Sequence, residues 1–116
     1  LILNTLFGIP NCDTIKKAKK WLNENNVDYS FHDYRKDGIS EAWINEAEQA
    51  LGWENMLNKR GTTYRQLSDE QKANIDQNSA LKLMLEAPAM IKRPILVADG
   101  EYTVGFSADT YQQVFS

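Results

Sequence analysis

The chain has 116 residues, 42% hydrophobic and 25% charged, with a net charge of −3; that length and balance fit one folded domain rather than a disordered chain. One cysteine, Cys12, and one histidine, His32, exclude an intramolecular disulfide and leave too few ligands for a zinc site built from Cys and His. The acidic balance argues against a general nucleic-acid binder.

Residues 1–7 are short and apolar, bounded by Gly8 and Pro10, and predict a buried strand, with Gly8 as a turn glycine. The first ten residues, LILNTLFGIP, carry no basic leader and no small-residue cleavage site. A helix is predicted over 12–25, with Ile15, Ala18 and Leu22 on one face and Lys16, Lys17, Lys19 and Lys20 on the wet side. Residues 27–34 (VDYSFHDY) predict a second strand, so the first 34 residues form a right-handed parallel βαβ unit. Ser40 then caps a helix over 41–51, and Trp53 to Leu57 adds a turn or two. Asn58 to Thr63 (NKRGTT) reads as a loop. Ser68 and Gln71 have the spacing of a capping box that opens a helix to about Ile75. Asn78 or Ser79 caps another over 80–87, which Pro88 stops. ILVAD, the Asp99-Gly100 turn and EYTVGF form an antiparallel pair, and Ser107 caps a last helix carrying Tyr111, Val114 and Phe115. The order is β-α-β, a helical block at about 40–87, then β-β-α, within a single domain. No apolar run approaches the roughly 20 residues of a membrane helix.

Cys12 carries the strongest chemical signal. It falls where the first loop meets the first helix, so its sulfur meets the N–H groups and partial positive charge of a helix N-terminus. Both favour thiolate, the nucleophilic form, and Lys16 lies one turn on. A lone cysteine is more often a small buried hydrophobe, but a loop-to-helix junction after the first strand of a βαβ unit favours a reactive thiol. A C-x-x-C pair would need cysteine at Ile15, so a catalytic cycle must borrow its second thiol from elsewhere. A lone free thiol also fits a reducing compartment, and cytoplasm is expected. Arg60 in the central loop and Arg93 before Pro94 offer guanidinium groups that bind oxyanions and carboxylates and lower the pKa of a nearby thiol. An average arginine is a solvated surface charge; Arg93 stands apart because it adjoins a proline at the mouth of a core strand, where a cis Pro94 would bring its backbone towards the helix N-terminus. The lysine cluster reads as a solvated helix face, and His32 and the tryptophans as structural.

Three segments, GIPNCDTIKKA, LNKRGTTYRQL and MIKRPILV, resemble the arsenate-reductase-like family of thioredoxin-fold proteins, which also contains the Spx transcription regulators. The similarity is greatest to the YffB-type branch and spans nearly the whole chain. It implies an α/β thioredoxin-like fold with a helical insertion between its halves. It also implies a reductase that works with glutathione. In arsenate reductases the cysteine at the Cys12 position attacks the oxyanion, glutathione and glutaredoxin resolve the adduct, and the arginine at the Arg93 position holds the oxyanion. The sequence departs from arsenate reductases at Asn58, which replaces their loop arginine, and in VGFSAD, which lacks a further one.

The leading expectation is a glutathione-dependent thiol/disulfide reductase with Cys12 as nucleophile and Arg93 and Arg60 holding an anionic substrate or a glutathione carboxylate. Asn11, Asp13, Thr14, Lys16 and Pro94 complete the expected anion site, with backbone N–H groups near Asn11 to Thr14 as donors. Arsenate reduction coupled to glutathione and glutaredoxin is the second reading. A non-catalytic Spx-like regulator that binds RNA polymerase is the third. Glutathione, or a glutaredoxin-type thiol donor, is the expected co-substrate, a small oxyanion or a disulfide the substrate, and a monomer the expected state. No tightly bound cofactor, metal, nucleic acid or membrane is expected.

Overall fold

The structure, a computed structural model, describes residues 4–10 and 12–116. Leu1, Ile2 and Leu3 of the first predicted strand, and the candidate site residue Asn11, lie outside the described residues. The chain divides into two compact units, one of residues 1–38 and 93–116, the other of Ile39–Lys92. The inserted unit is thus wider than the helical block of about 40–87 read from the sequence.

The first unit holds the β-α-β and β-β-α halves. β1 (Asn4–Gly8) is followed by α1 (Asp13–Glu24) and β2 (Ser30–Asp33); β3 (Ile95–Ala98), β4 (Glu101–Val104) and α7 (Ala108–Val114) close the chain. The sheet order is β2-β1-β3-β4. β1 runs parallel to β2, with Phe7 opposite His32, and antiparallel to β3, with Phe7 opposite Ile95. β3 and β4 form the expected hairpin, with Asp99 and Gly100 at positive φ in its turn. This is the arrangement expected of a thioredoxin-like fold.

The α1 stripe folds as its spacing demands: Ile15, Ala18 and Leu22 are completely buried, and each large aliphatic chain so buried contributes about 1.5–3 kcal/mol. Ala18 and Leu22 join Leu6, Leu96, Ala98 and Tyr111 in a core on one face of the sheet, rimmed by Trp21, Phe31 and Phe115. Trp21 stacks on Phe115 at 6.0 Å and meets Tyr111 edge-on at 5.6 Å. Lys16, Lys17 and Lys20 are exposed, as a solvated face requires. Lys19 instead lays its ammonium 3.7 Å from the Phe31 ring centroid and ties α1 to β2.

Two readings in this unit are corrected. β2 begins at Ser30 rather than Val27, because the Val27 N–H donates to the Leu22 carbonyl and so completes the end of α1. Gly8 is not in a turn. It is the last residue of β1, paired with Asp33, and α1 crosses directly above it. A Cβ at Gly8 would collide with Ile15 Cδ1 and lie 3.1 Å from its Cγ1. Ile15 is fully buried and has little room to move. Gly8→Ala is therefore expected to destabilise the protein by about 1–3 kcal/mol, seen as a lower urea midpoint. An unchanged midpoint would mean that α1 shifts freely on the sheet.

The inserted unit is helical: α2 (Glu41–Leu51), α3 (Trp53–Met56), α4 (Thr62–Arg65), α5 (Asp69–Ala73) and α6 (Gln77–Glu86), then a short 3₁₀ turn at Pro88–Met90. Ser40 caps α2 through the Trp43 N–H, and Ser68 and Gln71 form the expected capping box at α5. Two readings fail here. The NKRGTT loop is shorter than expected because Thr62 already begins α4. α6 is capped by Asp76, not Asn78 or Ser79; Ser79 is the reciprocal partner in a box with Asp76. Ile44, Ala47, Met56, Ala80, Met84 and Met90 are among the buried residues of this unit.

Candidate active site

Cys12 is the N-cap of α1, with extended backbone (φ −104°, ψ 131°), so the helix starts at Asp13, one residue later than expected. The Cys12 carbonyl accepts the first helical bond, from the Lys16 N–H at 3.0 Å. Its side chain is half-buried and carries a free thiol. The sulfur closes no conventional cap hydrogen bond, yet several donors act on it. Burial is the largest single influence and pushes the thiol up. The N–H groups of Ile15 and Thr14, a hydrogen bond from Arg93 and the charge of Arg93 together outweigh it, and the thiol lies below its ordinary value. Opposing desolvation with directed donors is how a protein holds a thiolate without a metal.

Arg93 is half-buried two residues before β3, and its peptide bond to Pro94 is cis. Pro94 is buried, and its carbonyl accepts from the Gly105 N–H at 2.8 Å. Cys12, Thr14 and Arg93 of the expected site are therefore brought together within the first unit. Asp13 is exposed at the first helical position. Lys16 is exposed too, and its backbone rather than its ammonium meets Cys12. The Ile15 N–H is a donor that side-chain chemistry could not reveal, since any residue supplies one.

Arg60 stands in the inserted unit. Its N–H donates to Asn58 Oδ1 at 3.1 Å and its carbonyl accepts from Arg65 Nη2 at 2.7 Å, which shapes the loop, while its side chain is exposed. His32 Nε2 donates to the Gly38 carbonyl at 2.7 Å, and its ring lies 4.9 Å from Phe7. Among the described residues no cluster of His, Cys, Asp and Glu is suited to a metal ion, and no helix is long and apolar enough to cross a membrane.

A family model described as the ArsC family matches residues 7–114. The solved structure of a YFFB protein is 44% identical and superposes with a TM-score of 0.93, covering 97% of this chain and 99% of that one. An arsenate reductase (ArsC) related protein from Brucella melitensis is 43% identical, with a TM-score of 0.80, over 97% and 94% of the two chains. The global transcriptional regulator Spx of Staphylococcus epidermidis is 29% identical over 115 residues, 90% of this chain and 81% of the regulator.

Proposed function

Because this chain belongs to the ArsC family and has its thioredoxin-like α/β fold, we propose that it is a glutathione-dependent thiol/disulfide reductase working through one cysteine in a reducing compartment. The observation that carries this reading is the lowered Cys12 thiol at the head of α1, with Arg93 donating to it. In the first step the Cys12 thiolate attacks one sulfur of a substrate disulfide. The S–S bond breaks, one substrate thiolate leaves and takes a proton from water, and Cys12 is held as a mixed disulfide. Glutathione thiolate then attacks the substrate-derived sulfur of that mixed disulfide and frees Cys12 as thiolate. A second round on the substrate–glutathione disulfide, completed by a second glutathione, gives a second substrate thiol and glutathione disulfide. Two electrons pass from two glutathiones to one disulfide. The chain has one cysteine, so the resolving thiol in this cycle comes from outside. Arg93 steadies whichever sulfur carries negative charge, and the Thr14 and Ile15 N–H groups do the same from the helix.

The test is the pH dependence of Cys12 alkylation by iodoacetamide, followed by mass spectrometry after exposure to oxidised glutathione. Since the thiol lies below its ordinary value, the rate is expected to reach its midpoint at a lower pH than that of a cysteine peptide alkylated alongside it. One glutathione should add to Cys12. A thiol titrating at or above the peptide's midpoint and left unmodified overturns the proposal and leaves the Spx-like regulator as the reading to pursue.

A further inference from the structure

Charge is spread unevenly over the first unit. Two exposed lysines, Lys16 and Lys17, follow Cys12 on α1, about 6 and 7.5 Å along the helix axis from it. The turn after β2 brings two more cations to the same end of the sheet. Gly8, the last residue of β1, pairs with Asp33, the last of β2, and the Tyr34 N–H donates to the Gly8 carbonyl at 3.0 Å. The chain therefore leaves β1 towards Cys12, and β2 towards Arg35 and Lys36, at one end of the sheet. Arg35 and Lys36 are exposed. The carboxylates beside them are taken up by the turn itself: Asp33 Oδ1 accepts from the Arg35 N–H at 2.8 Å, and Asp37 Oδ2 from the Asp33 N–H at 3.0 Å. None of Lys16, Lys17, Arg35 and Lys36 makes an ion pair among the described residues, whereas Lys20, farther along α1, pairs with Glu24 at 3.9 Å. Lys19 is held over the Phe31 ring.

The opposite end of the unit is acidic. Asn4 opens β1 and pairs with Ala98, which also pairs with Glu101; Asp99 lies in the turn between them. Asn4 Nδ2 donates to the Asp28 carbonyl at 3.0 Å. Glu24, Asp28, Asp99 and Glu101 are all exposed. Asp13 and Asp109 are exposed towards the Cys12 end, but no matching group of cations stands among the acids at the other end. The unit's excess negative charge thus lies away from the thiol. Exposed charges act over a Debye length of about 8 Å at physiological salt, so the cations around Cys12 reach an approaching chain before contact is made.

We propose that the Cys12 end of the sheet is a docking surface for an acidic polypeptide, and that the disulfide attacked by Cys12 is carried on a chain with aspartate or glutamate beside its cysteine. This rests on the reading of Cys12 as the reacting thiol and names its substrate class. An extended chain advances about 3.3 Å per residue. Carboxylates two to four residues from the disulfide therefore reach Lys16 and Lys17 along α1, or Arg35 and Lys36 beyond β2. These cations stay solvated, so they speed the encounter rather than lock the complex.

The test uses three symmetrical peptide disulfides of equal length, their cysteine flanked by aspartates, asparagines or lysines. The Cys12 thiolate attacks one sulfur, the S–S bond breaks, one peptide thiolate leaves and takes a proton from water, and the Cys12–peptide mixed disulfide is followed by mass spectrometry. Each rate is divided by that of the same disulfide with mercaptoethanol, which removes its intrinsic reactivity. At low salt the aspartate peptide is expected to react about tenfold faster than the asparagine peptide, and the lysine peptide more slowly than either. The advantage should vanish at about 0.5 M salt. A variant combining Lys17→Gln, Arg35→Gln and Lys36→Gln should lose it too, while reacting with the asparagine peptide as the parent does. Equal corrected rates for the three peptides, or an aspartate advantage that survives salt or the triple variant, overturn the proposal and leave the reductase reading standing. Failure of Cys12 to form a mixed disulfide with any peptide overturns the reductase reading and this proposal with it.

Discussion

Replacing Cys12 by serine is expected to abolish thiol-disulfide turnover, by at least about 10³-fold, while leaving the helix it caps as stable as before or more so. The two effects separate because the residue has two jobs. As nucleophile it must ionise, and a serine hydroxyl at the same place stays protonated at neutral pH. No other residue can take over, since Cys12 is the chain's one cysteine. As N-cap it sits in extended backbone ahead of Asp13 without closing a cap bond of its own. Serine is among the better N-caps and reaches the N–H groups at the second and third helical positions. In this protein those are the Thr14 and Ile15 N–H groups that act on the sulfur. Cys12→Ser should thus show background activity in a glutathione-coupled NADPH assay and an equal or raised thermal midpoint. Turnover surviving in the serine variant would remove Cys12 from the mechanism. A large loss of stability would mean that the thiol packs as a core residue instead.

This double use of one position explains why the site was partly legible before the fold was known. Cys12 stood out because strand, loop and helix could be placed by periodicity and punctuation, which fixed it at a helix start. Arg93 stood out because it precedes a proline at a core strand. Both readings depend on local sequence, and both residues meet within one unit. What stayed hidden depends on pairing across distance or on groups common to every residue. The Ile15 N–H has no side-chain signature. Gly8 reads as a turn glycine in sequence, and only its pairing with Asp33 and the approach of Ile15 place it inside β1. The missed local features have similar causes. α4 is four residues long and too short to show a period. The α6 cap is ambiguous in sequence because Asp76 and Ser79 are both good caps, and their reciprocal bonds decide which one serves. Val27 has a strand-former's side chain, so the sequence places it in β2, but its N–H is committed to the end of α1.

Arg93 is where charge, hydrogen bonding and fold converge, and its removal has the second large effect expected here. Arg93→Ala takes away both a hydrogen bond to the Cys12 sulfur and a nearby positive charge, leaving the Thr14 and Ile15 N–H groups to oppose burial alone. The thiol should therefore titrate higher than in the parent. A hydrogen bond to a charged group contributes about 1.5–3 kcal/mol, so turnover at neutral pH is expected to fall by about 10–100-fold. Arg93→Lys keeps the charge but loses the planar fork, and should fall between the two. Stability carries the same signature. The folded thiol lies below its unfolded value, so the thiolate's contribution to stability is fully present above the ordinary thiol range and is lost as pH falls through the lowered folded value. Urea midpoints of the parent should consequently rise over those of Arg93→Ala as pH is raised through that window, with the gap narrowing again in acid. A gap that stays constant with pH would assign Arg93 to packing beside Pro94. A gap that opens with the thiol's own titration would tie the guanidinium to the sulfur.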